Sequence, residues 1–314
     1  MNSQHRKPLP GTQLDWFDAR AAVDALEAAL AAGLDPEADA PRTRVSTAAG
    51  QLLQMPSTRG TEVDTKLLTL TPDNPERGLP VIQGVYVLFG APGTPGQAPR
   101  AVLDGVELTG LRTSAVSALG VRLLADASPR HLVVFGTGVQ AWEHALTFQD
   151  VFGLERVSVV GRDADRAAAL AARIEAELGV TASTAGPEAV AEADVVVTCT
   201  AATAPLFDGT LVPEHATVVA MGSHTTDARE TDDALARRAT VAVESRDSAA
   251  REAGDVTLAI DSGALAGIED TVTLAELVAG TARRREGAPA LFVTTGMPWQ
   301  DLVVASAVAR EVLG

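Results

Sequence analysis

Two hydrophobic rhythms divide the chain. In its middle, short continuous apolar runs near 131–136, 156–161, 193–200, 216–222, 239–245 and 290–296 alternate with stretches of helical spacing. Runs of this length predict buried strands of a mostly parallel sheet covered by helices. A helical pattern joins the first two runs, from Val139 to about Phe148. Another joins the second and third, from Asp163 to about Leu178, with Gly179 as its stop. The pattern predicts an α/β protein built on a Rossmann-type, doubly wound parallel sheet.

The segment before residue 115 follows a different rhythm. Asp15 to Ala32 has helical spacing. Strand-like pieces follow at Arg44–Ser46, Gln51–Met55, Thr61–Leu70, Leu79–Leu88 and Arg100–Asp104, separated by Pro- and Gly-rich turns. Gly90 to Gln97 reads as an exposed hairpin loop. A helix from Arg112 to about Ala125 links the two parts, and a last one runs from about Trp299 to Leu313. The expected organisation is a dinucleotide-binding domain at 116–297 and a smaller α+β domain from 1–115 plus 298–314.

The run His131-Leu132-Val133-Val134-Phe135-Gly136-Thr137-Gly138-Val139-Gln140-Ala141 carries the strongest chemical signal. An apolar strand enters G-x-G-x-x-A and a helix follows. The first glycine permits the tight turn, and the second lets the backbone approach a pyrophosphate. Ala141 permits close packing of helix and strand, and the helix N-terminus favours phosphate charge. Alone the motif is weak, but here strand and helix flank it and a second strand follows at Arg156 to Gly161. The expected cofactor-binding residues in this turn are Gly136, Thr137, Gly138, Val139 and Gln140.

Composition changes the picture mainly by exclusion. With 314 residues the chain can bury a large core, and aromatics at 4% leave that core aliphatic. A net charge of −16 argues against nucleic acid and anionic membrane as partners. Cys199 is the only cysteine, which rules out an intramolecular disulfide and a thiolate-rich metal site. Its strand-like neighbours make it a buried, inert thiol. His5, His131 and His215 lack metal spacing, so no metal site is expected, and His144 reads as structural or exposed. No apolar run has signal or membrane-span length, so the expected location is the cytoplasm.

Cations beside apolar strand supply a second constellation. Arg42 follows Pro41, Lys66 follows Val63-Asp64-Thr65, and Arg112 opens the linking helix. Each alone reads as a solvated surface charge. Together they suit a carboxylate, because guanidinium forks match it and lysine adds a movable proton.

Motifs spread along the chain then carry a resemblance. They include Thr65-Lys66, Pro72-Asp73-Asn74-Pro75-Glu76-Arg77-Gly78-Leu79-Pro80, Gln83-Gly84 and Leu103-Asp104-Gly105. Leu111-Arg112-Thr113-Ser114-Ala115, the glycine turn, Met221-Gly222-Ser223 and Arg229-Glu230 continue the series. It ends in Glu252-Ala253-Gly254-Asp255 and Gly296-Met297-Pro298-Trp299-Gln300-Asp301-Leu302. In this order they resemble the ornithine cyclodeaminase/mu-crystallin family across nearly the whole chain.

The resemblance implies a nucleotide-binding domain, a smaller substrate and dimerisation domain, a homodimer, and a nicotinamide cofactor acting on an amino or imino acid. It implies that Arg42 and Lys66 bind the substrate carboxylate, with Arg44 a rival to Arg42. Arg112 matches a residue at the cofactor–substrate junction. Thr200, Met221, Gly222, Ser223 and Thr294 take cofactor-contacting positions. His224 stands where ornithine cyclodeaminases carry an acid/base aspartate, Ala228 replaces a lysine, and Val81 replaces a cofactor-touching threonine. These departures place the chain nearer the ketimine reductase-like members. His224 has two readings, an acid that protonates an imine or a loop residue without chemistry.

After the second strand the dinucleotide fingerprint expects an acid to hold the ribose hydroxyls. Gly161-Arg162 stands there instead. Glycine leaves room for a 2′-phosphate and Arg162 can pair with it, with Arg166 one turn on, so NADP(H) is favoured over NAD(H). The opposing reading puts Arg162 on the surface and turns Asp163 toward the ribose. The expected activity is NAD(P)H-dependent reduction of a small 2-imino acid such as pyrroline-2-carboxylate or piperideine-2-carboxylate. The alternatives are a cyclodeaminase or amino-acid dehydrogenase, a non-catalytic NADPH-binding protein, and an imine-forming or opine-like step in specialised biosynthesis.

Overall fold

The computed structural model describes Leu14, residues 17–90 and residues 96–313. Asp15, at the expected start of the first helix, and positions 91–95 of the expected hairpin loop lie outside the described residues. The chain forms two compact units. One comprises the chain up to Ala25, Ala38–Arg112 and the segment from Met297; the other comprises Leu26–Glu37 and Thr113–Gly296.

In chain order the helices are α1 (Ala19–Ala31), α2 (Gly105–Leu124), α3 (Val139–Phe152), α4 (Ala164–Leu178), α5 (Asp233–Arg238), α6 (Arg246–Glu252), α7 (Gly254–Asp261), α8 (Leu274–Val278) and α9 (Pro298–Leu313). The smaller sheet holds β1 (Thr43–Thr47), β2 (Gly50–Arg59), β3 (Glu62–Leu70), β4 (Ile82–Phe89) and β5 (Pro99–Asp104) in sequential antiparallel order. The larger contains β6 (His131–Phe135), β7 (Arg156–Val160), β8 (Thr181–Thr184), β9 (Val195–Thr198), β10 (Thr217–Ala220), β11 (Thr240–Val243), β12 (Val272–Thr273) and β13 (Ala290–Val293).

Every pairing in the larger sheet is parallel, and its order is β12-β11-β13-β10-β9-β6-β7-β8. This is the expected Rossmann-type sheet, with β8 and β12 as edges that the apolar runs did not signal. β8 is Thr-Ala-Ser-Thr and largely exposed, so it carries no hydrophobic signature. From β6 the chain moves outward through β7 and β8, then returns to place β9 on β6's other side. Order reversal therefore falls between β6 and β9. Val133, Phe135, Val196, Val218, Val241, Val243, Leu291 and Val293 form part of one aliphatic core. Burying each such side chain contributes roughly 1.5–3 kcal/mol.

One boundary is corrected. α2 begins at Gly105, so Arg112 stands two turns inside the helix rather than at its start. Asp104 sets that start, accepting hydrogen bonds from the backbone N–H groups of Val106 (2.7 Å) and Glu107 (3.1 Å).

β3 reverses the usual strand logic. Along β3 the buried side chains are Glu62, Asp64, Lys66 and Leu68, while Val63, Thr65 and Leu67 on the opposite face are partly exposed. Polar alternation normally marks the solvent face. Here three ionisable residues point inward, and α9 packs on β2, β3 and β4.

Candidate active site

Lys66 is fully buried, at 0% exposure, between its cross-strand neighbours Met55 on β2 and Tyr86 on β4. Its Nζ donates to Asp301 Oδ1 at 2.8 Å and lies 2.8 Å from Oδ2. Asp301 is buried in the first turn of α9, where the helix dipole favours an acid. Arg112 Nε lies 3.2 Å from Asp301 Oδ1, an ion pair without aligned hydrogen-bond geometry. Arg112 also donates from NH1 to Gln300 Oε1 at 3.1 Å.

Burial pulls the Lys66 pKa down to about 8; Asp301 opposes that fall, while Arg112 and Arg42 add to it. The structure thus brings Lys66, Arg112 and Arg42 into one electrostatic group within the smaller unit. Arg44 sits exposed on the edge strand β1. Lys66, a buried lysine with a movable proton beside two guanidinium groups, can bind a carboxylate and exchange a proton near neutrality.

Two further carboxyls stand close by. Asp39 accepts from Ser57 Oγ (2.7 Å) and from the backbone N–H of Trp299 (2.7 Å), and burial raises its pKa to about 6. Asp64 Oδ1 accepts the Ser57 N–H at 2.7 Å, and burial pushes this carboxyl up to about 8. No role was expected for Asp39, Asp64, Gln300 or Asp301. Gln300 and Asp301 stood in the family-like motif, but their pairing bridges more than 180 residues and leaves no local signal.

In the larger unit the glycine turn lies at the order reversal. Gly136 has φ +117°, and a Cβ there would fall 2.6 Å from the Cys199 carbonyl oxygen. The Cys199 N–H donates to Phe135 O at 2.8 Å, so β6 and β9 hold the turn against 199–200. Gly138 is the N-cap of α3, in extended conformation, and no side chain caps the helix. Thr137, Gly138, Val139 and Gln140 thus surround an uncapped helix N-terminus, a geometry that suits a pyrophosphate.

Gly161 also has a packing role. A Cβ there would meet Thr137 Cγ2 at 2.7 Å, so it permits close approach of the two loops. Arg162 is exposed, and Asp163 accepts the Arg166 N–H at 3.1 Å as the N-cap of α4.

The loop after β10 is organised by a carboxylate that sequence reasoning left without a role. Glu230 is buried and accepts from Thr198 Oγ1 (2.6 Å), Thr200 N–H (2.9 Å), Thr200 Oγ1 (2.5 Å) and Gly222 N–H (2.7 Å). It therefore ties Thr200 to Gly222. Met221 and Ser223 are buried beside it, and Ser223 Oγ donates to the Ala228 carbonyl at 2.5 Å. His224 is exposed on the same loop. Thr294 is buried and its hydroxyl donates to Glu244 at 2.5 Å. His144 is a core residue, bonded to Gln140 O and Ser117 Oγ, and burial lowers its pKa to about 4. Desolvation also keeps the Cys199 thiol neutral.

Together these features define a two-unit α/β protein of the Rossmann type, with a buried lysine–arginine–aspartate cluster in its antiparallel unit. The ornithine cyclodeaminase/mu-crystallin family matches residues 16–314. The chain is 36% identical over 265 residues to delta(1)-pyrroline-2-carboxylate reductase 2 of Burkholderia ambifaria, covering 84% of this chain and 81% of that protein. It is 34% identical to the ketimine reductase mu-crystallin of Mus musculus, covering 78% and 74%. Among solved structures it is similar to the delta(1)-pyrroline-2-carboxylate reductase of Thermococcus litoralis in complex with NADH and L-proline. That likeness has a TM-score of 0.85 at 26% identity, covering 95% and 94% of the two chains. The chain belongs to the ornithine cyclodeaminase/mu-crystallin family.

Proposed function

We propose that this chain is an NAD(P)H-dependent reductase of small 2-imino acids, with pyrroline-2-carboxylate and piperideine-2-carboxylate as candidate substrates. The observation that carries the reading is the buried cluster of Lys66, Arg112 and Asp301 with its movable lysine proton. The names of the relatives above point the same way. When bound, the nicotinamide supplies hydride to the C=N carbon.

The residues of the chain do the rest. Lys66, Arg112 and Arg42 clamp the substrate carboxylate, which fixes the orientation of the C=N carbon. The Lys66 ammonium keeps the imine nitrogen protonated and its carbon electrophilic. Arg42 is favoured over Arg44 because its charge acts on Lys66. His224 is the second candidate proton donor, on the loop that Glu230 shapes. Gly136, Thr137, Gly138, Val139 and Gln140 hold the pyrophosphate, with Thr200, Met221, Gly222, Ser223 and Thr294 lining the rest of the cofactor site. The test is NADPH and NADH oxidation by the purified protein with each imino acid. Cofactor loss with either substrate supports the reading; cofactor binding without turnover, or ornithine-dependent ammonia release, rejects it.

We favour NADP(H) over NAD(H). Asp163 is engaged in capping α4, which leaves the exposed Arg162 to meet a 2′-phosphate. A charge-assisted hydrogen bond of about 1.5–3 kcal/mol corresponds to roughly ten- to a hundredfold in affinity. Arg162→Ala therefore raises the KM for NADPH by about that factor and leaves the KM for NADH nearly unchanged. Equal changes for both cofactors reject the assignment.

A homodimer accompanies this reading. The outer face of the small sheet carries Val45, Val85 and Val102, exposed at 57%, 37% and 47%, beside partly exposed Leu52, Leu67 and Val87. An apolar sheet face of this kind marks an association surface. Sedimentation is expected to give twice the 32.4 kDa chain mass, and Val85→Asp to give the monomer. A wild-type monomer at micromolar concentration refutes it. The cytoplasm, where reduced cofactor and a lone thiol both persist, is the proposed setting.

A further inference from the structure

Asp64 has no place in the carboxylate clamp, yet it shares the buried face of β3 with Lys66. Strand geometry sets side chains two residues apart on one face at about 7 Å. Its Oδ1 accepts the Ser57 N–H, and the rest of the carboxyl is buried against the Tyr86 side chain. The hydroxyl of Tyr86, the cross-strand neighbour of Lys66, is likewise buried and interacts with the Asp64 carboxyl. The Asp64 carboxyl and the Tyr86 hydroxyl therefore face each other beside the lysine, buried where a polar group without a partner would cost free energy.

The surrounding charges explain why Asp64 keeps its proton. Burial is the largest cause; Asp301 on α9 and Asp39 before β1 raise its pKa further, while Tyr86 and the Ser57 N–H oppose them. Glu62 on the same strand is paired with Arg59. The cations facing this group are Lys66, Arg112 on α2 and Arg42 before β1, with Asp301 lying between Lys66 and Arg112.

We infer that Asp64 is a positioning residue for Lys66: from the same buried face of β3 its carboxylate supplies the negative charge that keeps Lys66 an ammonium at alkaline pH. Burial brings both groups to about 8 from opposite sides, so they titrate as a coupled pair. Imine reduction consumes one proton per turnover, and a carboxylate beside Lys66 extends the pH range over which the lysine stays charged. The inference rests on the proposed role of Lys66 for its meaning in turnover, but not for its direct test.

Lys66 is one of only two lysines in the chain, the other being Lys7. A protein labelled with 13C at lysine Cε therefore gives two side-chain signals, and Lys66→Met identifies one. The Lys66 titration midpoint is expected to fall by about one pH unit in Asp64→Asn and to recover in Asp64→Glu. Tyr86→Phe, which leaves the carboxyl's proton more firmly held, moves it in the same direction by less. A Lys66 midpoint identical in wild type, Asp64→Asn and Tyr86→Phe overturns the inference. The alkaline limb of kcat/KM for pyrroline-2-carboxylate is expected to follow the same shift. A moved midpoint in a protein that reduces no imino acid upholds Asp64's action on Lys66 and rejects the functional reading instead.

Discussion

Lys66→Met is expected to lower kcat for pyrroline-2-carboxylate reduction by about two to four orders of magnitude while NADPH still binds. Methionine retains much of the lysine stem's volume against Met55 and Tyr86, so the sheet keeps its packing. What disappears is the only ammonium in the cluster, and with it the proton held beside the substrate. Arg112 and Arg42 remain and continue to attract a carboxylate, so KM is expected to rise less than kcat falls. Stopped-flow turnover and NADPH binding by fluorescence together decide the matter. Turnover within tenfold of wild type assigns the proton to another group, with His224 the next to replace. Loss of NADPH binding as well means that the substitution has disturbed more than the clamp.

The larger sheet was legible because its code is local. Continuous apolar runs marked β6, β7, β9, β10, β11 and β13, and the glycine turn fell at the β6–α3 junction. Where the code weakens, so does the reading. β8 offers no apolar run, and the capping role of Asp104 drew α2 back from Arg112 to Gly105.

The cluster itself was only half legible. Lys66 and Arg112 stood out as cations beside apolar sequence, but their counterion did not. Asp301 is 235 residues from Lys66, and it becomes a partner only because α9 packs on the small sheet. Period-two alternation also misleads on β3, since it assigns Glu62, Asp64 and Lys66 to solvent. β3 buries these three among Leu53, Met55, Leu68 and Leu88, and the sheet leaves Val85 and Val102 on its open face. A sheet that places titratable groups inside incurs desolvation costs, and it retains them when chemistry needs groups that titrate near neutrality.

Asp301→Ala is the substitution expected to cost the most stability. It leaves Lys66 buried without the carboxylate that accepts its hydrogen bond and deprives Arg112 of its ion pair. Breaking a buried pair by removing one member typically costs about 3–5 kcal/mol, because the remaining charge is uncompensated. The pH dependence of that loss has a definite sign. In the wild type Lys66 titrates near 8 in the folded chain, below the 10.5 of an ordinary lysine. The unfolded chain thus binds more protons between those values, and this group's cost is fully present below pH 8 and recedes above it. Removing Asp301 lowers the folded value further, so the added penalty is largest in acid and shrinks as the lysine sheds its proton. The Tm deficit of Asp301→Ala is therefore expected to be greater at pH 6 than at pH 9.5. Its alkaline limb of kcat/KM moves to lower pH for the same reason. A deficit that stays constant across that range means lost packing rather than a stranded charge, and it removes Asp301 from the account of how Lys66 is held.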